Sequence, residues 1–160
     1  MTPTDWLTVG ARGLLAVILL FLGASKVAQP EDFLKAVRAY GVFDASFGLN
    51  LTAIVVPWLE IFLGSLLLLG VAVRGTALAT VVLMLVFTGL ILTRAMEISS
   101  AMQLGLCAIS FDCGCGSGEV PVCPKLLENV ALSGVAAWLS FGGSSRGCLR
   151  FSLLRERFAD

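Results

Sequence analysis

The 160-residue chain has no histidine, only 14% charged residues, and a cationic count (11 Lys plus Arg) that merely equals its anionic count (11 Asp plus Glu). Each shortage excludes something. Without histidine there is no Ser-His triad, no bis-His haem, no His ligand for a catalytic zinc, and no side chain whose ordinary pKa lies near neutrality. Without a basic excess there is nothing to displace the counterions of a nucleic acid, so no nucleic-acid partner is expected. Charged residues make up about a quarter of an ordinary soluble domain. Here 58% of the residues are hydrophobic and the mean hydropathy is +0.94, which places the chain in a lipid bilayer.

A hydrocarbon layer about 30 Å thick calls for roughly 20 residues of helix. Four stretches reach that length: Trp6 to Val27, Leu49 to Val73, Gly75 to Met96, and Lys125 to Gly143. The expected fold is therefore all-α, an integral membrane bundle of four transmembrane helices forming one domain over 1–143, with an Arg-rich tail over 144–160. The first stretch lacks a cationic n-region and a small-residue cleavage site, and reads as a retained helix rather than a signal peptide. The second and third are joined by a tight turn around Arg74 and Gly75, giving an antiparallel hairpin.

Two longer connections, Gln29 to Gly48 and Glu97 to Pro124, then share one side of the membrane. In the first, Pro30, Glu31 and Asp32 favour a helix start, and Phe33, Val37, Tyr40 and Gly41 follow at helical spacing, which predicts a short amphipathic interfacial helix. In the second, Ile98 to Phe111 is apolar but too short to span, and suits a buried or re-entrant segment. It leads into the cysteine- and glycine-rich run Asp112-Cys113-Gly114-Cys115-Gly116-Ser117-Gly118-Glu119. Arg146, Arg150, Arg155 and Arg157 follow the last span, which favours cytoplasmic termini in a bacterial inner membrane. The cysteine cluster is then extracytoplasmic, where disulfides persist.

With histidine missing, chemistry falls first to Cys107, Cys113, Cys115 and Cys123, an even number in and beside one connection; Cys148 stands apart in the tail. Thiolates are favoured at helix N-termini and beside cations. Cys123 before Pro124 and Lys125 reads as the N-cap of the last span, with both advantages. Cys113 and Cys115 can exchange with Cys123 or Cys107 through mixed disulfides. Three readings stay open: a thiol–disulfide relay, static disulfides stapling a loop, and a soft-metal carrier. The relay leads, because Cys-Gly-Cys lacks the Cys-x-x-Cys spacing of a zinc ribbon, and no metal is expected.

Glu60 is the second candidate. It follows Pro57 and Trp58 inside a span, an expensive place for a carboxyl, and so is expected to face the bundle interior. Lys26 and Arg94 lie near the ends of their own spans and are expected to point toward it, making a proton or charge relay of Glu60, Lys26 and Arg94. The competing reading is a purely structural pair. Arg12 reads as a snorkelling anchor, and Gly64 with Ser65 and Gly134 with Ala137 as small residues for close helix packing. Trp6, Trp58 and Trp138 fit aromatic belts better than a ligand site.

The chain resembles the DoxX-like membrane proteins, and within them the methylamine-utilisation MauE family. The residues that carry the likeness are Phe21-Leu22-Gly23-Ala24-Ser25-Lys26, then Pro30 with Phe33, Ala36 and Tyr40, then Pro57-Trp58-Leu59-Glu60 with Gly64, and finally Cys113-Gly114-Cys115-Gly116. The likeness implies a four-helix membrane protein tied to extracytoplasmic thiol or disulfide chemistry in the making of a disulfide-rich periplasmic enzyme. Ser117 departs from the aromatic-containing run more usual in the family, and Cys107 and Cys123 are additions. The function expected is electron exchange between extracytoplasmic dithiols and a membrane carrier, a quinone, with a thioredoxin-like protein or a disulfide-containing client as partner. The alternative is a non-catalytic assembly or maturation subunit.

Overall fold

A computed structural model describes residues 3–41, 46–112, 114 and 118–142. The order is α1 (Pro3–Ala28), α2 (Pro30–Ala39), α3 (Ser46–Leu69), α4 (Val73–Met102), a single 3-10 turn (Leu106–Ala108), a hairpin of β1 (Ser110–Asp112) and β2 (Glu119–Pro121), and α5 (Val122–Gly142). The long helices form an all-α bundle. It packs as two tight pairs, α1 against α3 and α4 against α5. Leu15, Leu19, Leu63, Leu67, Ala77, Ala136 and Leu139 form the shared core, while Phe21, Phe47, Trp58, Phe62, Leu127 and Phe141 stay exposed on the outside. An apolar exterior over a packed interior is what a lipid solvent requires.

Among the described residues three helices, α1, α3 and α4, are long and apolar enough to cross a membrane. The helix α5 is not among them, because Lys125, Glu128 and Asn129 put three polar groups into its first two turns. Arg12 does not snorkel: it is buried on α1, as are Thr8 one turn earlier and Asp5 two turns earlier. Gly134 is exposed with open space around it, so it is not a packing contact, whereas Gly64 is one.

The turn between α3 and α4 comes earlier than Arg74 and Gly75, which lie in the first turn of α4. Gly70 takes a left-handed φ of +69°, its N–H donates to the Leu67 carbonyl at 3.2 Å, and the Val71 N–H donates to Leu66 at 3.0 Å. That pair of bonds is a Schellman ending, which uses up two carbonyls a helix end would otherwise leave bare.

A short amphipathic helix forms where one is expected, as α2. Pro30 begins it, Glu31 and Asp32 fill its first turn, and it buries Phe33, Ala36 and Val37, with Phe33 and Val37 in a small core with Leu49 at the start of α3. The expected re-entrant segment is not. Ile98 to Met102 simply continues α4, residues 101–108 are exposed, and the chain then turns into the β1–β2 hairpin. Gln103 in the left-handed conformation and Gly105 stop the helix before a second apolar segment can form. Together α2 and the hairpin make a cap over one end of the bundle. The tail, 144–160, lies outside the described residues.

Candidate functional site

The site begins with a glycine. A Cβ on Gly23 would sit 2.7 Å from Ile61 Cγ1 and 2.8 Å from the Pro57 carbonyl oxygen, so only glycine lets α1 come this close to α3. Gly64 does the same one layer down, where a Cβ would meet the Ala16 carbonyl oxygen at 3.0 Å. One turn beyond Gly23, the close crossing brings Lys26 Nζ to 2.5 Å from Glu60 Oε1. Side-chain exposure is 4% for Lys26 and zero for Glu60, so this pair lies in the bundle interior. The ammonium also lies 5.3 Å from the Phe33 ring and 5.0 Å from the Phe87 ring, within range of a cation–π attraction.

The pair has small spaces on both sides. Glu60 Oε2 is buried without a hydrogen-bond partner among the described residues. Glu60 lines a cavity of about 20 Å³ together with Lys26, Lys125 and Asn129, a volume that suits one water molecule. Toward the cap, Lys26 also lines a crevice of about 90 Å³ with Ser25, Gln29, Asp32, Asp112 and Gly114. Lys26 therefore stands between the cap crevice and the interior carboxylate.

The cap is held by covalent and packing contacts. Cys107 in the 3-10 turn forms a disulfide with Cys123 at the start of α5, with Cα atoms 5.0 Å apart. Inside that loop, Phe111 pairs with Val120 across the hairpin, and Ile109 and Val122 are buried with Ile91 and Ala95 of α4. Gly114, with φ +71°, donates its N–H to Asp112 Oδ1 at 2.9 Å. A Cβ there would lie 3.0 Å from the Phe33 ring and 3.0 Å from Ala36 Cβ, so glycine is required twice over, by conformation and by space. Residues 4–142 match the family model described as methylamine utilisation protein MauE. The chain belongs to the MauE family.

That match runs from the first turn of α1 to the end of α5 and so takes in the whole site. Three apolar helices and MauE membership make the chain a membrane protein. No curated protein and no solved structure matches it.

Not every expected site residue of this MauE protein falls where the spacing suggests. Arg94 does not reach Glu60; it pairs with Glu97 one turn along its own helix at 2.9 Å. Cys123 is not an N-cap, because α5 begins at Val122, whose N–H is taken by the Ile109 carbonyl at 3.1 Å. Its sulfur is bonded to Cys107, so neither is a free thiolate in this state. Cys113, Cys115 and Cys148 lie outside the described residues. Lys125 serves the interior rather than Cys123: it is buried, bonds Glu128 at 3.0 Å and lines the Glu60 cavity. Asn129, one turn further along the same helix face, was not anticipated, although its i, i+4 spacing from Lys125 is a polar stripe on an otherwise apolar helix.

Tyr40, at the end of α2, meets the Phe111 ring edge-on at a centroid distance of 6.4 Å. Its burial, with help from the Asp112 carboxylate and against the pull of Arg94, pushes the phenol up to about 12. Because this is the chain's single tyrosine, phenolate absorbance reports it alone. The folded protein is expected to ionise near pH 12 and the unfolded chain near its ordinary value of about 10. A folded pKa above the unfolded one means the cap loses stability as pH rises through that window and not below it. Titration of the folded protein near pH 10 would show that the ring is not packed under the hairpin.

Proposed function

We propose that this MauE-family protein is a membrane thiol–disulfide redox component that exchanges electrons between extracytoplasmic dithiols and a membrane quinone, in support of the maturation of a periplasmic enzyme. The family description points to methylamine utilisation, and the client in that reading is methylamine dehydrogenase or a protein that delivers disulfides to it. The observation that carries the proposal is the placing of the Cys107–Cys123 disulfide in the same cap whose crevice ends on the buried Lys26–Glu60 pair, with Gly114 of the Cys-Gly-Cys run lining that crevice. In this reading α5 completes a four-span bundle, the cap faces the periplasm, the termini are cytoplasmic, and the kinship extends to the wider DoxX-like proteins.

The exchange balances in two steps. A client dithiol attacks the protein disulfide and leaves as a client disulfide, so the protein gains two electrons and two protons as a dithiol. The protein dithiol then passes both electrons and both protons to a quinone, which becomes quinol, and the disulfide re-forms. With quinol as donor the same steps run in reverse. In the first step the client dithiol reduces a Cys113–Cys115 disulfide, whose thiols then reduce Cys107–Cys123 by internal exchange and are themselves re-oxidised, and Lys26 with Glu60 accepts and returns protons at the bundle end.

The test is a mass map of alkylated cysteines in protein purified without reductant, before and after adding quinone or quinol. Cys107 and Cys123 are expected to become alkylated with quinol and protected again with quinone; cysteines that never respond overturn the proposal. A second reading has its own support, since the disulfide also ties the hairpin to α5. In that case the protein is an assembly subunit, and Cys113→Ser with Cys115→Ser leaves client maturation intact.

A further inference from the structure

The cleft between α1 and α5 has the makings of a ligand site. It has a volume of about 440 Å³ and is walled by Val17, Phe21 and Leu22 of α1, by Pro121 at the end of β2, and by Pro124 and Lys125 of α5, with Glu128 at its edge. It exists because α1 pairs with α3 and α5 with α4, so that α1 and α5 touch only lightly. Its exposed wall is apolar, with Val17 and Phe21 among the exposed side chains, so it opens on the side where lipid would lie.

We infer that this cleft is the quinone site, an inference that rests on the redox reading above. Three observations converge on it. The volume exceeds the roughly 150 Å³ that suffices to admit a benzene ring, leaving room for a ring with part of its tail. Cys123 is not itself a lining residue, but it directly precedes Pro124 and lies two residues after Pro121, both of which line the cleft, so the backbone that carries the disulfide also builds the cleft wall. Lys125 and Leu22 line both the cleft and the Glu60 cavity, so the wall between a ring in the cleft and the interior carboxylate includes these two side chains.

The charge of the wall selects the ligand. Lys125 Nζ is bonded to Glu128 Oε2 at 3.0 Å, so the cleft carries a donor without a net positive charge. A lipid phosphate would find its counter-ion already taken, whereas a neutral quinone carbonyl needs only a hydrogen-bond donor. Oxidation of the Cys107 and Cys123 thiols sends two electrons and two protons to the ring, forms the S–S bond and leaves quinol in the cleft. Lys125 hydrogen-bonds the ring oxygen that gains negative charge, and the two protons released by the thiols complete the quinol, so no net proton is drawn from the Lys26–Glu60 pair.

A photoreactive azidobenzoquinone with a short tail, added to the purified full-length protein in lipid nanodiscs, tests this. Labelling is expected on Val17, Phe21, Pro121 or Pro124, competed by unlabelled quinone. Val17→Trp fills the cleft from an exposed position that leaves the core alone, and is expected to weaken quinone binding at least tenfold while reduction of Cys107–Cys123 by dithiothreitol is unchanged. A separate apolar cavity of about 190 Å³ is lined by Val37 of α2, Thr52 and Val56 of α3, and Val86 and Leu90 of α4; label there, or label displaced by phospholipid but not by quinone, overturns the site. Quinone bound in the cleft with cysteines that never change state would keep the site and overturn the redox function instead.

Discussion

Lys26→Met is expected to destabilise the bundle by about 3–5 kcal/mol, the cost of leaving one member of a buried ion pair without its partner. Glu60 is fully enclosed, and Lys26 Nζ is the cation bonded to it. The loss is read from denaturant unfolding in mixed micelles. The double variant Lys26→Met with Glu60→Leu is expected to recover most of it, since a buried pair replaced as a unit by apolar side chains is often neutral. Equal instability in the single and double variants would mean that the lysine stem matters and its charge does not. Glu60→Gln separates structure from relay: it keeps the shape and an acceptor for Lys26, so a large fall in quinone-dependent turnover with little loss of stability assigns the carboxyl to proton transfer.

Removing the disulfide is the second large effect. Cys107 and Cys123 enclose a loop of sequence separation 16, and a cross-link of that span constrains the unfolded chain by about 3 kcal/mol. In Cys107→Ala with Cys123→Ala the effect is expected to stay local, in the cap. The Val122 N–H, which donates to the Ile109 carbonyl, reports it, and its hydrogen exchange is expected to speed up roughly 100-fold. Amides in the core around Leu19 and Leu67 are expected to keep their rates. Uniform acceleration through the bundle would show that the cap and the bundle unfold as one unit.

The apolar spans and the amphipathic α2 were legible in the sequence because lipid and a half-buried helix each impose a simple pattern, a long apolar run and a 3.6-residue period. The partner of Glu60 was half legible. Depth and side-chain length made Lys26 and Arg94 equal candidates, and only the Gly23 and Gly64 crossing, which sets how closely α1 meets α3, decides for Lys26. Arg94 had Glu97 three residues away, a local pairing that competes with any distant one. The hairpin half of the cap is not legible for a related reason. Apolarity over Ile98 to Phe111 records burial of Ile109 and an extension of α4, and neither length nor hydropathy distinguishes those from a re-entrant segment. The pairing of Cys107 with Cys123 was one of several open choices that depend on the hairpin bringing its two ends together.

The Lys26–Glu60 pair also constrains how the protein can be made. Lys26 stands two residues from the end of α1, where a long side chain can rest among lipid headgroups while the rest of the chain is being synthesised. Glu60 sits far from both ends of α3 and has no such refuge. Insertion is therefore coupled: α1 can enter the bilayer alone, but α3 enters at low cost only beside α1, so the first long helix of the nascent chain has to stay near the translocon until the second arrives.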